Sequence, residues 1–327
     1  MAQCRDAAGS DAVRPRHPLI SPWCVENAMS EKRGSQAGST AGPVRVDHYP
    51  PEEVFGLLSD ETRLSILRVL GEADDETVRF SDLQAAVGLP DSGQFNYHLH
   101  KLVGRFVRKT DEGYGLSLAG KQLVGALLAG TYTASAETTE PLPVAAPCPR
   151  CGGAVVATYA NDVVETTCLD CEEWYNQVAV PPGILDQFDP ADLPAVFDRW
   201  LVAVIQWTHA GFCHNCAGRV SGRLVLTDDH PQGVRVDYPC ERCGEEASVS
   251  AVVPVLLHPT GAGFLFDQGI DLRHTPLWEV STRVDEAVSI VSEDPPTLEV
   301  TLAVGDEHLR ARIDRDLTVD VLERPAV

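Results

Sequence analysis

The sequence predicts an α+β chain of several small domains, and three patterns in it lead there. Apolar residues recur at helical spacing through residues 51 to 133, interrupted by one hairpin signal. Four Cys-x-x-Cys pairs follow, flanking an amphipathic helix. The tail then alternates apolar and polar residues, the period of a half-buried strand. The expected order is a helical N-terminal domain, cysteine-bound ribbon, linking helix and strand-rich C-terminal domain.

Composition narrows the class. The 327 residues carry 26 Lys plus Arg against 48 Asp plus Glu, a formal charge of −22, and hydrophobic residues make up 44%. Only four of the cations are lysines: Lys32, Lys101, Lys109 and Lys121. Excess acid, scarce lysine and few aromatics suit a protein that stays hydrated in concentrated salt, where self-repulsion is screened, and imply a halophilic host. No apolar run approaches the ~20 residues of a spanning helix, and the N-terminus lacks the apolar core of a secretory signal. The expectation is a cytoplasmic protein whose cysteines bind metal instead of forming disulfides.

Residues 1–50 are rich in Gly, Pro, Ser and Ala without period and read as a disordered tail. Met29 opens "MSEKRGSQAGSTAGP" as a native start would, leaving 1–28, with the unpaired Cys4 and Cys24, as an over-extended reading frame. Residues 51–133 form the helical domain. In "SDETRLSILRVL" the face is Leu64, Leu67 and Val69–Leu70, with Ser59 or Asp60 as N-cap. "FSDLQAAVGLPDS" gives a shorter helix capped by Ser81 and closed by Gly88. A third helix follows Asp91 and ends at Gly104; "FVRKTDEGYGLS" is a hairpin around Asp111-Glu112-Gly113; a last helix begins at Ser117. Residues 134–147 read as a linker and 148–182 as a ribbon. An amphipathic helix is expected within 188–210, with Leu193, Val196, Phe197, Trp200, Leu201 and Val204 as its stripe. Residues 211–325 would hold a second ribbon and an antiparallel β domain.

Helix, helix, turn, helix and hairpin is the order of a winged helix-turn-helix. The stretch from Asp91 to Asp111 encloses no carboxylate but holds Lys101, Arg105, Arg108 and Lys109. In its helix Phe95, Leu99, Leu102 and Phe106 take the core spacing, while Gln94, His98, Lys101 and Arg105 repeat it one residue earlier, on an outward edge. Ser92, Gln94 and Asn96, with Tyr97, sit at the end that meets base edges in a recognition helix, and Lys101 and Arg105 lie where phosphates are reached. Arg108 and Lys109 fall on the wing. Carboxylates here would repel a DNA backbone; a solvated face that is cationic by chance is the alternative.

"EVFGLLSDETRLSILRVL", "FSDLQAAVGL", "FNYHLHKLVGRFVRK" and "YGLSLAGKQL" resemble the winged-helix domain of ArsR-type transcriptional regulators, closest to a sub-group from halophilic archaea with cysteine-rich C-terminal domains. The resemblance covers residues 51 to 130. It implies a homodimer formed through the first and last helices and bound to a near-palindromic double-stranded operator. Metal-sensing members hold thiolates on the helix before the recognition helix; "SDLQAAVGL" has none, so sensing at that place is not expected.

Cys148 and Cys151 are separated from Cys168 and Cys171 by 16 residues, within the spacing of a four-cysteine zinc ribbon. Cys213 and Cys216 precede Cys240 and Cys243 by 23, slightly long. Two structural zinc ions are the expectation, since four thiolates leave no open coordination position. An iron–sulfur cluster takes the same ligands, and cross-pairing of the sets stays open. His209 and His214 flank the third pair and read as ordinary surface histidines; His258, His274 and His308 are scattered in the tail. No nucleophile triad, phosphate loop or zinc-hydrolase motif is evident, so no enzyme is expected.

The main reading is a sequence-specific transcription regulator whose second half serves dimerisation, small-molecule sensing or protein contact, with no membrane partner. The alternative is a general transcription adaptor similar to archaeal transcription factor E, which would contact RNA polymerase. A ribbon-based RNA-binding or protein-binding adaptor ranks third.

Overall fold

The computed structural model describes residues 46–324 apart from Thr139, Asp229 and Pro231. The expectations for residues 1–45, including Met29, Cys4 and Cys24, lie outside the described residues. Two compact units divide at residues 134 and 135.

The first unit, residues 46–134, contains α1 (Pro51–Gly56), α2 (Glu61–Glu72), α3 (Phe80–Val87), α4 (Ser92–Leu102), a hairpin of β1 (Val107–Lys109) and β2 (Tyr114–Leu116), and α5 (Leu118–Leu128). Asp60 caps α2 by accepting from the Arg63 N–H at 3.1 Å. The buried face of α2 is Ile66, Leu67 and Leu70, packed in the core with Leu83, Leu99 and Val124; Leu64 and Val69, expected inside, are half-buried at its margins. Helix α3 starts at Phe80, and its N-cap is Arg79, without a side-chain bond. Ser81, expected as the cap, instead donates to Asp82 Oδ1 within the first turn. Phe80 sets the start, because its ring packs edge-on against Phe95 at 5.2 Å. Gly88 closes α3 at φ +74°, as expected for a left-handed C-cap.

Asp91 accepts from the N–H groups of Gly93 and Gln94 at 2.8 and 2.9 Å and so starts α4. Phe95, Leu99, Leu102 and Phe106 are buried together with Leu83 and Tyr114, as their spacing predicts. Ser117 caps α5. A Cβ at Gly120 would stand 2.2 Å from the Phe106 carbonyl oxygen, so only glycine lets α5 lie this close to the hairpin. Gly120→Ala is therefore expected to cost ~1–3 kcal/mol and to lower the thermal midpoint of this unit in a circular dichroism melt.

The second unit, residues 135–324, is built on one continuous core reaching from Val144 to Ile313. It opens with an antiparallel sheet in the order β3 (Leu142–Pro147), β4 (Ala154–Ala160), β5 (Val163–Cys168), β6 (Trp174–Ala179). Strand β3 occupies what the sequence presents as linker. Its prolines are tolerated because β3 is an edge strand with β4 as its sole neighbour, and Val144 is buried. Between β4 and β5, Asn161 and Asp162 both take positive φ (52° and 63°), the two-residue turn whose twist suits a hairpin.

Helix α6 (Leu193–His209) buries Leu193, Val196, Phe197, Leu201 and Ile205. Trp200, placed on that stripe by its spacing, lies at the edge and donates its indole N–H to the Ala179 carbonyl at 2.8 Å. A three-stranded sheet follows, β7 (Arg223–Leu226), β8 (Val234–Pro239) and β9 (Glu246–Ser250), then α7 (Val253–Leu257), α8 (Pro259–Asp267) and α9 (Leu277–Arg283). The last element is a four-stranded meander, β10 (Asp285–Glu293), β11 (Pro296–Val304), β12 (Glu307–Ile313) and β13 (Val319–Glu323). Its central hairpin turns at Gly305-Asp306 as expected and buries Leu298, Val300, Leu302, Leu309, Ala311 and Ile313 on one face. Among the described residues no helix is long and apolar enough to cross a membrane.

Candidate metal centres and candidate nucleic-acid interface

The eight cysteines predicted as ligands gather into two groups of four, and pairing is local: Cys148, Cys151, Cys168 and Cys171 in one, Cys213, Cys216, Cys240 and Cys243 in the other. All four Cys-x-x-Cys turns share one backbone design. The N–H of the first cysteine donates to the carbonyl five residues on: Cys148 to Gly153 at 2.9 Å, Cys168 to Glu173 at 2.8 Å, Cys213 to Gly218 at 2.9 Å and Cys240 to Glu245 at 2.7 Å. The residue after the second cysteine is left-handed in every case: Gly152, Glu172, Ala217 and Gly244, with φ of 74°, 57°, 52° and 78°. In each turn the first cysteine is buried and the second is more exposed.

Zinc held by four thiolates at ~2.3 Å in a tetrahedron sets its sulfurs about 3.8 Å apart. The sulfurs lie 3.7 Å (Cys148–Cys171) and 3.6 Å (Cys151–Cys168) apart in the first group. In the second they are 3.7 Å (Cys213–Cys243) and 3.5 Å (Cys216–Cys240) apart. These separations fit a tetrahedral ion and are far beyond the ~2.05 Å of a disulfide. Both groups could therefore hold a metal ion such as zinc.

Hydrogen-bond donors surround the sulfurs. Tyr175 donates its hydroxyl to Cys148 Sγ at 2.9 Å, and the N–H groups of Cys151, Asp170 and Arg242 reach Cys148, Cys168 and Cys240 at 3.4 Å. Burial pushes the Cys148 thiol up, but the Tyr175 hydroxyl and the backbone N–H groups outweigh it and hold this thiol well below its ordinary value. Cys240 is held down likewise, first by the Cys243 N–H. Each group thus contains one thiol biased toward the thiolate that a metal requires. An ion pair between Arg150 and the buried Glu173 ties the first turn to the second. His209 and His214 are not part of either group: His209 Nδ1 lies 3.0 Å from the Tyr238 hydroxyl, and His214 faces Glu245 at 4.0 Å. Burial lowers the pKa of both. Tyr175 and Glu173 were not legible as partners, because no spacing rule links them to the thiolates.

In the first unit, Ser92, Gln94, Asn96, Tyr97 and Lys101 lie exposed along α4, as their spacing predicts. The Lys101 ammonium sits 5.5 Å from the Tyr97 ring centroid, and the Arg105 guanidinium covers the ring of Tyr49. Lys109 is exposed on β1, near the Tyr114 ring.

Two predicted contact residues are placed differently. His98 does not join the outward edge: its side chain is 11% exposed, with Nδ1 3.2 Å from the α2 cap Asp60. Arg108 lies on the hairpin as expected, but it is engaged by Glu76 and donates Nε–H to the Leu116 carbonyl at 3.2 Å. The acid-free stretch thus receives two carboxylates from elsewhere in the chain, contacts that helical periodicity cannot reveal.

The chain matches two family models: one described as a domain of unknown function, DUF7351, over residues 145–319, and one as a domain of unknown function, DUF7347, over residues 51–127. No curated protein and no solved structure matches it.

Proposed function

The chain belongs to the family of the domain of unknown function DUF7351, and we propose that it is a DNA-binding transcriptional regulator of ArsR type, with a winged helix in residues 46–134 and a structural zinc ion in each cysteine group. One observation carries this reading. Helix α4 buries Phe95, Leu99 and Leu102 while presenting Ser92, Gln94, Asn96, Tyr97 and Lys101 to solvent, followed at once by a two-stranded hairpin bearing Lys109. A helix with short polar groups at its first turn and a cation further along matches the needs of major-groove reading, where amides meet base edges and cations meet phosphates. Arg108 is paired with Glu76 and His98 is tucked in beside Asp60, so both serve the fold of the domain, which leaves Lys101, Arg105 and Lys109 as its phosphate contacts.

The resemblance also implies a homodimer through the first and last helices. Supporting it, Phe55 on α1 and Leu118 and Leu128 on α5 are exposed, and Leu64, Val124, Leu127 and Leu128 line a cavity of about 500 Å³ between α2 and α5. Leu128→Glu is expected to convert dimer to monomer in light scattering without loss of helix signal.

The test is an anisotropy titration of the metal-loaded chain in molar KCl, with DNA from upstream of its own gene against a shuffled duplex. Preference for the native duplex is expected. Gln94→Ala should cost ~1–3 kcal/mol of specific binding, and Lys101→Ala should reduce the salt slope by about 1. Unchanged affinity in both variants would remove α4 as the reading helix; equal weak binding of both duplexes, with capture of RNA polymerase, would favour the adaptor reading.

A further inference from the structure

Away from the cysteines, one face of α6 and the segment before α9 line a cavity of about 210 Å³ that opens to solvent. Ala195, Asp198, Arg199 and Gln206, with Val202 and Ala203, line the helix side at i, i+3, i+4, i+7, i+8 and i+11. Arg273 and His274 stand on the opposite wall, both fixed by Asp271: Arg273 donates to it at 2.9 and 2.7 Å, and His274 Nδ1 lies 3.1 Å from it. Asp198 is 4% exposed. Its Oδ1 accepts from the Leu277 N–H at 3.0 Å, which caps the first turn of α9; Oδ2 has no partner among the described residues. Arg199, on the next position, is exposed and makes no hydrogen bond or ion pair among the described residues.

A buried carboxylate is costly unless its oxygens are occupied. Capping α9 explains one oxygen, and an asparagine would cap as well. What the cap does not explain is an acid in place of an amide on the wall of a cavity that is also lined by the exposed Arg199, whose guanidinium has no hydrogen-bond or ion-pair partner among the described residues. A lone metal ion is disfavoured, because the lining offers one carboxylate and two arginines. A simple anion is disfavoured by Asp198. A ligand carrying both charges satisfies each group.

We propose that this cavity binds a small primary-ammonium zwitterion, the chemistry of a free α-amino acid, with the ammonium on Asp198 and the carboxylate on Arg199. The volume lies below the ~300–1,000 Å³ of drug-sized sites and suits a metabolite. The two alanines on the α6 wall keep it open. Neither a metal ion nor DNA takes part in the binding itself, so the proposal stands apart from the regulator reading, although the site needs the folded, metal-loaded second unit.

The test uses the full metal-loaded chain in molar KCl, with calorimetric titration and thermal shift against the twenty common amino acids. Glycine betaine, which has the same charges but no N–H, and acetate are the controls. At least one amino acid should bind with measurable heat while both controls fail. Arg199→Ala should weaken that binding ~10- to 100-fold, the cost of losing one charged hydrogen-bond partner. Asp198→Asn should abolish it with the melting temperature held or raised, which separates lost binding from lost folding. No binding by any amino acid at ~10 mM, tenfold above a ~1 mM Kd, would overturn the proposal. So would equal binding of betaine, or binding that survives both substitutions.

Discussion

Removal of metal by a strong chelator at neutral pH is expected to unfold the second unit while the helices of the first persist. Cys148, Cys168, Cys213 and Cys240 are members of the same core as Phe197, Leu201 and the β11–β12 hairpin, so neither cysteine group is a detachable appendage. A structural zinc site contributes ~10 kcal/mol or more to folding, and a whole domain retains only about 5–15 kcal/mol of net stability. Losing either ion exhausts that margin. Trp278 is buried in the second unit and Trp200 donates its indole N–H to the Ala179 carbonyl there, so the emission of these two should shift toward that of solvated indole. Much of the far-ultraviolet helix signal, from α1 to α5, should remain. Elemental analysis before chelation should give two zinc ions per chain; four or eight irons with an equal amount of sulfide would replace zinc by two clusters. A metal-free chain with unaltered fluorescence would show that the thiolates hold nothing the fold needs. Acidification should act in the same direction, because thiolate ligands must stay deprotonated and protons compete with metal for them. Cys148→Ser, buried and bonded to Tyr175, should be more damaging than Cys151→Ser at the exposed position.

The cysteine centres were legible because chemistry restricts them: a tetrahedral ion and a tight turn fix both the residue type and the spacing. The turn itself was half legible. Gly152 and Gly244 announce a left-handed residue after the second cysteine, but Glu172 and Ala217 adopt the same conformation without announcing it. The buried face of α4 followed from period alone, since Phe95, Leu99, Leu102 and Phe106 leave no other stripe. Where the reading departed from the structure, a distant contact had decided the matter. Phe80 starts α3 by packing on Phe95, so Ser81 is left without the cap. Asp60 draws His98 inward, and Glu76 takes Arg108. Strand β3 was hidden by its prolines, which signal a linker unless the strand is known to lie at an edge. Asp198 left a trace that could have been read. It sits between Phe197 and Leu201 on the buried side of an amphipathic helix, where a carboxylate has no reason to be unless something meets it.

Asp198→Asn is expected to stabilise the second unit at pH 8 and to do nothing at pH 3. Burial raises the Asp198 carboxyl to about 7, against which the Leu277 N–H and the Arg199 charge pull it down. Arg273 and His274 face the cavity from the opposite wall, with the Arg273 guanidinium and the His274 Nδ1 directed to Asp271. Because the folded pKa lies above the unfolded value, the folded chain binds the extra proton between pH ~4 and ~7. Stability is therefore fully present below the unfolded pKa, falls as pH rises through that window, and is fully depressed above 7. At ~1.4 kcal/mol per pH unit the cost at pH 8 is on the order of 4 kcal/mol. Asparagine keeps the oxygen that accepts from Leu277 and carries no charge, so the variant should recover most of that amount. The measurement is urea unfolding of the metal-loaded chain at pH 6, 7 and 8 in molar KCl, a range in which the thiolates keep their metal. The difference between variant and wild type should grow with pH. A difference that is constant across this range would mean that Asp198 is already ionised in the fold at pH 6. A saturating cavity ligand should shrink the difference at pH 8, because an ammonium on the carboxylate offsets the same cost that asparagine removes.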